Sequence, residues 1–172
     1  ILRPRVGLEG VIVKGVRPEA DVYSIRDRMT IGTFAFAGGG DSTLLPPVIV
    51  GERLALKLKI VVGDTVTFFA PNGMPSPDNP PAIEQFVLRG IYRTGMAEYD
   101  DIYTYTSLAH VQTLFGYSAD QVTGYDILLH DQNGGEAISR EYAEAMALRL
   151  GSTLGFPPYP QTGFDLFHSV FA

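Results

Sequence analysis

The alternation of apolar and polar positions predicts a chain of short elements. Residues 6–15 are rich in β-branched side chains and run into Arg17-Pro18, so they read as a strand closed by a turn. Asp21 can cap a short helix through Arg28, with Val22, Ile25 and Met29 at helical spacing. Residues 30–43, which include Gly38, Gly39 and Gly40, read as an irregular connection. The apolar run at 46–50 is a short buried strand, and 52–58 place Leu54, Ala55 and Leu58 on one helical face. A tight turn at 61–64 leads into a strand over 64–70, and a second strand follows over 86–92.

Between those two strands lies the sequence MPSPDNPP at 74–81. Proline holds φ near −65° and offers no backbone donor, so this stretch cannot continue either strand's ladder. With Met74 and Ile83 in or beside it, the stretch reads as a stiff, partly apolar protrusion, suited to gripping a partner rather than to chemistry. A long rigid loop without function is the plainer alternative; loops of this length in compact domains are uncommon unless functional or disordered.

Further along, 93–101 is a polar connection and 102–106 a strand, and Ser107 caps a helix carrying Leu108, Val111 and Leu114 that stops at Gly116. Residues 122–129 read as another strand and 131–135 as a turn. Residues 136–150 are the strongest helix, with Ile138, Tyr142, Ala145, Met146 and Arg149 in three- and four-residue steps and Gly151 just after. A proline cluster at 156–160 precedes an apolar, helix-like end at 164–172. Strands dominate the front and helices the back, an α+β pattern.

Composition narrows the function. The 172 residues suffice for one domain with a real core, or for two small subdomains. A formal charge of −6 and no basic stripe argue against nucleic acid. No stretch approaches the roughly 20 apolar residues of a membrane span. Zero cysteines exclude disulfides, thiolate nucleophiles and Cys-based zinc. The start at Ile1 and the apolar end lead us to expect an excised piece of a longer protein.

Candidate chemistry is sparse. His110, His130 and His168 show no zinc-ligand spacing, and Ser42, Ser76 and Ser107 lack a G-x-S-x-G frame. Glu98, Asp100 and Asp101 could hold a hard cation but lack EF-hand spacing, and read as a solvated turn. The glycines at 38–40 lack the Lys-Ser/Thr continuation of a phosphate loop. Tyr99, Tyr103 and Tyr105 could stack a sugar or base; Tyr103 and Tyr105, two apart on one strand face, more simply pack there. We therefore expect no catalytic residue and no metal.

The order of segments carries a resemblance. IVGERLALKLKIVVGDTVT at 49–67, then the proline-bearing insert, then FVLRGIYRTGMAEYD at 86–100, is similar to the periplasmic domain of lipoprotein-releasing (LolC/LolE-like) ABC-transporter permeases, within the MacB-like and FtsX-like superfamily. VKGVRPE at 13–19, YTYTSLAHVQTLF at 103–115 and VTGYDILL at 122–129 fit the same order. The resemblance covers residues 10–130 well and the rest loosely.

It implies an α+β, MacB-like periplasmic core domain of an inner-membrane protein: a β-rich sabre-like subdomain over 1–130 with a protruding hairpin at 71–85, and the C-terminal part of a porter-like subdomain over 131–172 leading towards a transmembrane helix. In such permeases a hairpin called the hook recruits a periplasmic lipoprotein chaperone. By position the matching residues are Met74, Pro75, Pro77, Pro80, Pro81 and Ile83, followed by Glu84 and Gln85, where chaperone-recruiting permeases tend to carry a basic residue. The implied partners are that chaperone, lipoprotein cargo, a partner permease subunit and a cytoplasmic ATPase that performs the hydrolysis; no cofactor is implied. A MacB/FtsX-like domain transmitting motion to an adaptor or envelope hydrolase is one alternative. A small β-barrel ligand-binding domain is another.

Overall fold

The structure is a computed structural model that describes residues 7–17, 19, 24–36, 45–70, 80–129 and 139–154. The chain forms two compact units, Ile1–Tyr125 and Asp126–Ala172. The fold is α+β. In the first unit a six-stranded mixed sheet has the order β1-β6-β3-β5-β2, and β4 also pairs with β5. The strands are β1 Ile12–Val16, β2 Met29–Gly32, β3 Pro47–Gly51, β4 Thr65–Ala70, β5 Ala82–Tyr92 and β6 Tyr103–Ser107; the helices are α1 Glu52–Leu58, α2 Ala97–Ile102, α3 Leu108–Phe115 and, in the second unit, α4 Arg140–Leu154. Among the described residues the sheet is open, ending at β1 and β2.

The central strand β3 is buried along its whole length, as expected of a continuous apolar run paired on both edges. Its side chains alternate between two cores, one on each face of the sheet. Val48 and Val50 join Leu54, Ala55, Phe86, Leu88 and Leu114 on the face that α1 and α3 cover. Ile49 joins Ile25, Phe36, Tyr92 and Tyr105 on the other. Along β5 the register with β3 slips between Val48 and Ile49, which pair with Leu88 and Gly90. The extra residue, Arg89, reverses the parity of the strand, so Leu88 and Ile91 share a core while Tyr92 enters the opposite one.

Local signals place the helices. Lys59 adopts the left-handed conformation (φ 54°) that ends α1, and its N–H donates to the carbonyls of Ala55 and Leu56. The Ser107 hydroxyl accepts the His110 N–H at the start of α3, and Gly116 (φ 68°) closes it.

Several expectations need correction. Met29–Gly32 is a strand, not part of a connection, because its edge pairs with β5. Of the helix expected from Asp21, the described part is a 3-10 helix at Arg26–Arg28, with Ile25 buried beneath it. Helix α2 begins inside the polar stretch 93–101, at Ala97, and takes in Ile102, so the strand that follows starts at Tyr103. Asp100 there is not a solvated turn residue but is buried, accepting from Thr94 N (2.9 Å), Thr94 Oγ1 (2.8 Å) and Gly95 N (3.4 Å). Residues 122–129 form no strand: their apolar alternation has no ladder partner among the described residues, and Tyr125 is 83% exposed. Helix α4 begins at Arg140, after Ser139 whose hydroxyl accepts Tyr142 N, and runs through Gly151 to Leu154. The glycines at 38–40, His130, His168 and the ends of the chain fall outside the described residues.

Candidate functional site: the β4–β5 ribbon

The ribbon is anchored at its root by a tight turn. Asp64 Oδ2 accepts Val61 N (2.8 Å), Asp64 N donates to Val61 O (3.0 Å), and Gly63 takes φ +98°. Two further bonds, Gly63 N to Leu88 O and Leu88 N to Asp64 O, both 2.8 Å, then fix the register of β4 on β5. Pairing runs antiparallel from Thr65↔Val87 to Ala70↔Ala82. The proline-bearing insert thus spans 71–81.

This register relocates part of the site expected from sequence. Ile83, Glu84 and Gln85 belong to β5, not to the insert, because each pairs with a residue of β4: Phe69, Phe68 and Thr67 respectively. Their side chains alternate. Ile83 and Gln85 are exposed on the outer face, whereas Glu84 is half-buried on the face shared with Phe86 and Leu88. Burial pushes the Glu84 carboxyl up from its ordinary value, and the charge of His110 on α3 opposes that shift. Pro80 is exposed and Pro81 half-buried. Met74, Pro75 and Pro77 lie outside the described residues.

One residue escaped the sequence reading. Phe69 is 55% exposed directly opposite Ile83, at 62%. The signal was present, since the paired aromatics in TVTFFA break the polar-out alternation set by Thr65 and Thr67.

Behind the ribbon's inner face an apolar cavity of about 350 Å³ lies among the segment around Leu8, helix α1 at Leu54 and Leu58, Phe68 of β4 and Leu114 of α3. The Lys57–Glu9 ion pair (2.8 Å) ties the N-terminal segment to α1. The cavity's polar lining among the described residues is Glu9, Thr67 and Thr104, and Glu9 is engaged by Lys57, whose ammonium that hydrogen bond holds above its ordinary value. Ser107 and His110, the one serine–histidine contact among the described residues, serve as a helix cap: the Ser107 hydroxyl meets His110 Nδ1 at 2.5 Å as well as its N–H. Tyr103 and Tyr105 do not form a shared ligand platform; Tyr105 is buried against Tyr92, while Tyr103 stacks on Tyr99 with Lys14 over its ring. Among the described residues, no helix is long and apolar enough to cross a membrane.

No protein-family model matches the chain. The lipoprotein-releasing system transmembrane protein LolC of Neisseria meningitidis serogroup B is 28% identical to it over 135 residues, 77% of this chain and 31% of that protein. The chain therefore spans about a third of the length of this curated relative.

Proposed function

We propose that this chain is the non-catalytic periplasmic domain of an inner-membrane ABC-transporter permease that releases lipoproteins and passes them to a periplasmic chaperone. The similarity to a lipoprotein-releasing transmembrane protein over 77% of the chain carries this reading. Cargo, a partner permease subunit and a cytoplasmic ATPase complete the machine, with ATP hydrolysis in the ATPase.

Within that reading, the β4–β5 ribbon and its insert are the chaperone-docking element. Five prolines between residues 71 and 81 lower the conformational entropy lost on binding. The hydrogen bonds joining Gly63 and Asp64 to Leu88 fix the ribbon's root to the sheet. Replacing residues 72–80 with a Gly-Ser linker of equal length leaves β4 and β5 whole and is expected to abolish carrier capture in a pull-down. Undiminished capture would remove the docking role.

A further inference from the structure

The apolar cavity of about 350 Å³ lies within the first unit, on the face of the sheet that α1 and α3 cover. Several of its walls, Val11, Leu58, Val66, Phe68 and Phe115, pack against the core and yet are only partly buried. Its polar groups are engaged or turned away: the Thr104 hydroxyl donates to the Ile12 carbonyl (3.4 Å), Thr67 is exposed, and the Glu9 carboxylate accepts from Lys57. Walls of this kind lack carbon contacts on one side, and an apolar molecule supplies them without breaking a hydrogen bond. The volume falls in the range of small-ligand sites, which begins near ~300 Å³. At one side the wall is of a different kind. Residues 7–11 form a strap outside every helix and strand, running so close to α1 that a Cβ on Gly7 would lie 2.7 Å from Leu58 Cδ2. Gly10 has open space around it and Leu8 is 83% exposed. The strap meets α1 through the exposed Glu9–Lys57 ion pair, and such pairs hold weakly, so this is the wall that yields.

We propose that this cavity binds the hydrocarbon chain of a fatty acid, which enters beneath the strap and sets its carboxylate on the Lys57 ammonium in place of Glu9. The chain gives the half-buried walls the apolar contacts that they lack, and one carboxylate replaces another, so Lys57 stays paired with the strap open or closed. A sugar or nucleotide would instead carry hydroxyls or phosphates into a space that offers them no free partner. The inference stands apart from the permease reading: it concerns the inner side of α1 and α3, and carrier capture tests neither the cavity nor the strap.

The test is dodecanoate binding to the whole chain, followed by NMR with labelled methyl groups. The expected result is saturable binding with nuclear Overhauser contacts from the dodecanoate chain to the methyls of Leu54, Leu58 and Val66. A wild type that does not bind, or binds without those contacts, overturns the inference whatever the variants do. Val66→Phe and Leu58→Phe fill the cavity from two separate walls. Each is expected to weaken dodecanoate roughly tenfold, the effect of about two buried methylenes lost, with the thermal midpoint retained. A folded filling variant that binds like wild type also overturns the inference. Glu9→Gln removes the competing carboxylate and is expected to bind dodecanoate about threefold tighter, the strength of an exposed ion pair. Unchanged affinity in Glu9→Gln, or dodecanol bound by the wild type as tightly as dodecanoate, would overturn the place given to Lys57.

Discussion

From Val87 to Tyr92, β5 is paired with β3 on one edge and with β4 and then β2 on the other, and Leu88, Ile91 and Tyr92 are buried in the two cores. From Ala82 to Phe86 its ladder is with β4, and only one of its faces, the one that carries Glu84 and Phe86, is turned towards the core. One continuous strand is thus scaffold at its C-terminal half and surface at its N-terminal half. The difference teaches how one strand can serve two ends: the ladder fixes the ribbon to the sheet, while the outward side chains N-terminal to Phe86 are released from packing.

The contrast can be broken most severely in the scaffold half. Leu88→Ala removes a fully buried side chain, and a loss of about 3 kcal/mol is expected in urea unfolding. Gln85→Ala, three residues earlier on the same strand, is expected to stay within about 0.5 kcal/mol. Equal losses at the two positions would erase the distinction. Gly51→Ala probes the support beneath the scaffold, since a Cβ there would lie 2.2 Å from the Asp100 carbonyl oxygen; a loss of about 2 kcal/mol is expected from the forced backbone shift, read in the same assay.

Smaller effects sharpen the comparison. The Tyr92 hydroxyl lies 3.1 Å from the Tyr99 carbonyl and 3.0 Å from that of Tyr103, and burial, reinforced by its neighbours, pushes its phenol up so that it stays a neutral donor. Tyr92→Phe leaves those carbonyls short of a donor, and about 1 kcal/mol is expected to be lost in thermal unfolding. At the recognition half, the raised Glu84 pKa means that the folded state holds that proton more tightly than the unfolded chain does. Its stabilising contribution is therefore fully present below the unfolded carboxylate range and is lost as pH rises through the folded value. Glu84→Gln is thus expected to unfold slightly later than wild type at pH 7, by less than about 1 kcal/mol after solvent screening, with the gap closing as pH falls through the carboxylate range. A gap that widens on acidification would contradict the half-buried placement of Glu84.

Elements decided by neighbours in sequence were legible. α1, α3, β3 and β4 are each bounded by signals within a few residues of themselves: the turn at Asp64, the Ser107 cap, the Gly116 stop and the all-apolar run of β3. The proline-rich reading at 74–81 falls largely outside the described residues, and the register shows only that β4 ends at Ala70 and β5 begins at Ala82. The segment 122–129 shows the limit. Its alternation is strand-like, yet a strand is a relation between two segments, and no partner pairs with it among the described residues.

By itself, then, the amino-acid sequence determined the α+β class and those elements that carry their own start and stop signals, because caps, turns and apolar runs act over a handful of bonds. Tertiary structure alone decided where the insert ends and which face each flanking residue takes. Ile83, Glu84 and Gln85 read as loop until pairing with β4 drew them into β5, turning Glu84 inward and leaving Phe69 and Ile83 side by side in solvent. A strand's side-chain period is two, so a register set by distant hydrogen bonds governs every side chain that the ribbon presents.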